Sequence, residues 1–206
     1  MLFDILALTS TIVVIAILNR LINIYPSLMA CTIRWKENIN IHNSLKLRTD
    51  RNLLAMAMII PFCLVIDRYI SEHITILSEM PDAVRLLTII GAFLCYICIR
   101  GTLSLIIKPV KGHDETFMAA QHSSRTFFII LSLTLIATVG CFSLLDPKPE
   151  RTMRILIWIL SGIYLIFILR KTQILLSSYS FFASFLYLCA LEILPTGVLV
   201  TSVVIF

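Results

Sequence analysis

Phe127-Phe128-Ile129-Ile130-Leu131-Ser132-Leu133-Thr134-Leu135-Ile136-Ala137-Thr138-Val139-Gly140-Cys141-Phe142-Ser143-Leu144-Leu145 runs for nineteen residues without a charged side chain. As an α-helix it reaches roughly 28 Å at 1.5 Å per residue, close to the thickness of a bilayer's hydrocarbon core. Backbone in hydrocarbon must satisfy its own hydrogen bonds, and a helix does so within one segment. A barrel would need short strands of alternating polarity, and none is visible. The stretch therefore reads as a transmembrane helix, and the rest of the chain follows from it.

Five further apolar runs flank it. Toward the N-terminus lie 86–107, interrupted by Arg100-Gly101, then 53–70, which carries Asp67-Arg68, and then 2–18, which ends at Asn19-Arg20. Toward the C-terminus lie 155–169, framed by Arg154 and Arg170-Lys171, and the long run 174–206, whose single charge is Glu192. The expected fold is all-α, a polytopic transmembrane helical bundle of about six spans forming one integral membrane domain over 1–206. Leu21–Cys31 is apolar but holds Asn23, Pro26 and Ser27, and Arg20 sets it off from the first span. It reads as an elbow in the headgroup region.

Composition agrees. Of the 206 residues 59% are apolar and 14% charged, and mean hydropathy is +0.96. A water-soluble fold of this size could not hide that much apolar surface. The net charge of +5 does not point to nucleic acid, because the basic residues sit mostly between apolar runs and are not interleaved with aromatics. The first, third and fifth connections hold twelve Lys and Arg, the second and fourth only five. By the positive-inside rule the odd connections face the cytoplasm and both termini face outward. No Lys or Arg precedes the first apolar run, so that run is expected to be a retained span, not a cleaved signal. The polar stretches 34–52 and 108–125 are too short to bury a core alone.

Glu192 is the leading candidate for chemistry. A carboxylate at mid-bilayer costs several kcal/mol, so it must pair, protonate or meet water. Pro195 cannot donate to the carbonyl of Leu191, which loosens the helix beside Glu192. Such a turn suits an ion or proton site as well as a structural ion pair. Partner choice depends on where the last helix begins. A start near Ile174 puts Glu192 in the outer half, level with Asp67 and Arg68, and favours Arg68. A start near Ser180 brings it nearer the midplane, within reach of Arg100. The first is the preferred expectation, with Arg100 as an anchor snorkelling to the cytoplasmic edge.

Other features have plainer explanations. The six cysteines lie in or beside apolar stretches and are expected to pack as small apolar thiols. Cys95 and Cys98 have the spacing of a redox dithiol, but their apolar surroundings lack the electropositive, partly exposed setting that redox requires. His113, Asp114, Glu115 and His122 share one connection without a metal-ligand spacing, which suggests a solvated loop. Ser177, Ser180 and Ser184 are expected to line one face of the sixth helix for close packing. No phosphate-binding loop, zinc-protease motif or nucleophile elbow is present. No catalytic, cofactor-binding or metal residue is assigned.

Phe185-Leu186-Tyr187-Leu188-Cys189-Ala190-Leu191-Glu192-Ile193-Leu194-Pro195 resembles the C-terminal signature of a Bacteroidota family of multi-pass inner-membrane proteins of unknown function, and Asp67-Arg68-Tyr69 is also similar to it. The resemblance implies a bacterial inner-membrane location and supplies no activity. The leading functional expectation is a non-catalytic scaffold or accessory subunit of an envelope assembly, with the bilayer and other membrane proteins as partners. A small ion or solute transporter using Glu192 and a lipid- or quinone-linked enzyme are the alternatives.

Overall fold

A computed structural model describes residues 2–69, 80–106, 114–145, 149–177 and 179–198. The described residues are almost entirely helical and include six helical segments long and apolar enough to cross a membrane. The bundle of about six spans is therefore what the chain forms, and it forms it through helices longer than the apolar runs.

The first helix, α1 (Leu2–Ile33), passes straight through Arg20 and Pro26. The expected elbow at Leu21–Cys31 is absent, and the chain turns later, at Arg34-Trp35. A proline costs a helix interior ~3 kcal/mol. Breaking the backbone within a membrane would leave several groups unpaired at a comparable cost each. Ile24, Leu28 and Cys31, at spacings of four and three, form a fully buried stripe that holds this part of α1 inside the bundle.

A short helix, α2 (Lys36–Asn43), follows and buries Asn38 and Ile41. The second span comes in two pieces, α3 (Leu45–Ala57) and α4 (Ile59–Tyr69), joined at Met58. Pro61 explains the joint. It lies in the first turn of α4, where a missing N–H costs nothing, and it could not have continued the ladder from Ala57. Next come α5 (Asp82–Ile106), α6 (Asp114–Leu145) and α7 (Pro149–Leu176). The last span, Phe181–Val198, opens with α8 (Phe181–Leu188) behind Ser180. The sixth span thus starts at the later of the two positions considered above, and the fifth runs on to Leu176. Ser177 ends up in the turn after α7, its hydroxyl donating to the carbonyl of Ile174 at 2.7 Å, and of the three serines only Ser184 lies buried on the last helix.

α6 is the central post. Phe117 and Ala120 near its start pack with Ile174, Leu175 and Leu191. Phe127, Ile129 and Ile130 pack with Ile24, Leu28, Leu54 and Phe167 one level on, and Leu135 with Phe62, Cys63 and Leu156 beyond that. The first connection and the α7–α8 turn gather at the end where α6 begins. The end of α4 and the start of α5 meet at the other, where Arg85 donates to buried Asp67 at 2.7 Å. The first connection, the start of α6 and the α7–α8 turn thus share one end of the bundle, as alternating crossings require.

Candidate functional site

The site begins with Pro195. Its ring blocks the bond to the carbonyl of Leu191 and crowds that oxygen, and the chain answers by widening the preceding turn. Cys189–Ile193 form a single π-helical turn, closed by the amide of Leu194 donating to the carbonyl of Cys189. Glu192 sits in that turn, and its backbone carbonyl accepts from the Tyr164 hydroxyl at 3.4 Å. One turn on, the hydroxyls of Thr196 and Tyr96 lie 3.3 Å apart. Three helices are therefore tied together around the widened turn.

The carboxylate of Glu192 is fully buried. Arg100 of α5 and Lys171 of α7 both donate to its Oε1. The Glu192 and Lys171 side chains are almost wholly enclosed, and Arg100 is 20% exposed. Phe167 supports both cations from one side, its ring centre 5.9 Å from the Arg100 guanidinium and 5.8 Å from the Lys171 ammonium. Facing an aromatic ring partly replaces the water these groups have lost. Oε2 of Glu192 has no partner among the described residues. The group is thus two cations on one carboxylate oxygen, with the second oxygen left over. Next to Arg100, Gln121 donates to Ser104 at 2.6 Å and joins α5 to α6.

Arg68 is not the partner of Glu192. It is exposed, and Asp67 is taken by Arg85. The reason is depth. With the last helix starting at Phe181, Glu192 lies eleven residues in, roughly 16 Å along the axis, which sets it near the middle of the bundle and level with Arg100. Arg100 turns inward to the carboxylate and does not snorkel. Lys171 was missed because it reads as a charge closing the fifth run. The signal was the apolar Ile174-Leu175-Leu176 that follows it, which shows that the helix continues past it.

The remaining candidates do not gather at this site. All six cysteines are free thiols. Cys31 and Cys63 are buried as expected, but Cys95, Cys98 and Cys141 are exposed on the outside of the bundle. His113 lies outside the described residues, as do the side chains of Asp114 and Glu115, and no metal-holding group of His, Cys, Asp and Glu occurs among the described residues. A cleft of about 320 Å³ opens beside Arg170, lined by Thr32, Ile166, Leu169 and Gln173. It is lateral and does not reach Glu192.

Comparison with curated proteins yields no match, and comparison with solved structures yields none either. A family profile covers residues 2–203. The span reaches from the start of α1 to beyond the π-helical turn, so the whole six-span unit and its ion cluster lie within one family. The chain belongs to the family described as a domain of unknown function (DUF4271).

Proposed function

We propose that the chain is a non-catalytic membrane component, a scaffold or accessory subunit of an assembly in the bacterial inner membrane, with its odd connections cytoplasmic and both termini periplasmic. The observation that carries the reading is the state of Glu192. The one carboxylate within the last span is enclosed and clasped by Arg100 and Lys171. That arrangement ties three helices together around one enclosed charge. The outer face of α5 suggests where a partner docks. Its Gly91, Ala92, Cys95 and Thr102 are exposed, and a methyl group at Gly91 or Gly101 would meet nothing within the chain. Small groups on a lipid-facing stripe let another helix approach closely.

Purification in mild detergent tests the reading. A partner should accompany the chain in fixed ratio, and bulky substitution at Gly91 should release it. A lone monomer under gentle conditions would count against the proposal, as would a tag at Phe206 found in the cytoplasm against the orientation.

A second reading, a small ion or solute transporter, draws on the π-helical turn and the unpartnered Oε2. Both are features of sites that take up and release a cation or proton. Flux into proteoliposomes that vanishes in Glu192→Gln would favour it, and flux indifferent to that change would remove its support.

A further inference from the structure

A second buried charge lies at the end of the bundle where the first connection meets α6, and this one has no counter-ion. Arg51 of α3 is 0% exposed. None of its three guanidinium nitrogens meets an acceptor among the described residues. The charged groups within its electrostatic reach include Arg48 and Arg125, which repel it. Arg125 in turn feels Arg48 and Arg100. Nearby carboxylates are committed elsewhere, Asp50 to Arg20 at 3.1 Å and Glu37 to the amide of Asn40 at 3.2 Å.

Other unpartnered polar groups lie on the elements that pack around this end of the bundle. Asn38, on a short helix that packs against both α3 and α6, is buried with neither amide atom partnered. The hydroxyl of Thr126, beside Arg125, is likewise buried and without a partner among the described residues. A buried guanidinium without an anion is among the costliest arrangements in a protein interior, and an apolar side chain would relieve it. Arg48 and Arg125 are partly exposed, whereas Arg51, within electrostatic reach of both, is enclosed.

We propose that this end of the bundle binds a phosphate-class anion, with Arg51 as its inner ligand, Arg48 and Arg125 at the mouth and α2 as the cover. A guanidinium fork matches two oxygens of such a group, and the Asn38 amide and Thr126 hydroxyl supply further donors. Because Arg51 is enclosed, α2 must yield to admit the anion. This helix has only eight residues and no side-chain cap at its N-terminus, which makes it a short element to displace. The phosphate belongs either to an anionic lipid headgroup or to a soluble molecule, and the chemistry is the same for both. The inference does not depend on the accessory-subunit reading.

The full chain in nanodiscs provides the test. In phosphatidylcholine discs, inorganic phosphate is titrated against chloride at constant ionic strength while the unfolding midpoint is followed. In parallel, phosphatidylglycerol is raised in the discs without added phosphate. A saturable rise in the first series assigns a soluble phosphate, and a rise confined to the second assigns a headgroup. Either supports the site when Arg51→Met and, separately, Arg125→Gln shift the half-effect concentration by roughly tenfold or more, the scale of one charged hydrogen bond. Arg125→Gln, at a partly exposed position, keeps the test open should Arg51→Met fail to fold. No rise in either series overturns the proposal, as does a response unchanged in either folded variant.

Discussion

Glu192 and Arg51 are both fully buried charges, yet their surroundings are opposites. Glu192 holds two cations on one oxygen, while Arg51 meets no acceptor among the described residues and is repelled by Arg48 and Arg125. In a dry interior an ion survives only if something repays its lost hydration. Around Glu192 the chain makes the repayment itself, by bringing α5 and α7 onto the π-helical turn. Around Arg51 the chain supplies none among the described residues, which is why the first region reads as structure and the second as a place for something from outside. Arg125 links the two regions, since it feels both Arg48 and Arg100.

Substitutions separate the two regions by sign as well as size. The largest effect is expected for Glu192→Gln, which leaves Arg100 and Lys171 facing each other without an anion. Unfolding in mixed micelles should show a loss of about 3–5 kcal/mol. Lys171→Met should cost less, about 1–2 kcal/mol, because Arg100 still compensates the carboxylate while one charge-assisted hydrogen bond is lost. The smallest effect is expected for Arg51→Met in the absence of phosphate, and it should run the other way, to a gain of up to about 1 kcal/mol as repulsion from Arg48 and Arg125 is relieved. A loss at Arg51 comparable to that at Glu192 would erase the contrast between the regions.

The apolar runs made the helical bundle legible before any coordinates, because in hydrocarbon a spanning segment of this kind has little choice but to be helical. Glu192 and Pro195 stood out for the same reason, a charge and a helix breaker inside such a run. What stayed hidden was depth. The partner of Glu192 depends on whether the last helix starts near Ile174 or at Phe181, and that choice is made by the turn behind Ser180, not by hydropathy. The elbow failed on similar grounds, since Pro26 and Arg20 look like an ending until the buried stripe Ile24, Leu28 and Cys31 is seen to need the helix. Arg51 was counted only as a topology charge. Yet Leu47, Arg51, Leu54, Ala55 and Met58 recur at helical spacing, which places Arg51 on the inward face, and Arg51, Leu54, Ala55 and Met58 are all buried.

The claim beneath both regions is that a negative charge at Glu192 keeps Lys171 in the dry interior. The direct check compares the unfolding free energy of Glu192→Gln, Lys171→Met and the double variant. The double variant should be more stable than Glu192→Gln alone, because removing the ammonium relieves the charge that the missing carboxylate had stranded, and Arg100, 20% exposed, has a way out. Losses that simply add would mean that the two side chains do not depend on each other, and the clasp would not be what holds this bundle together.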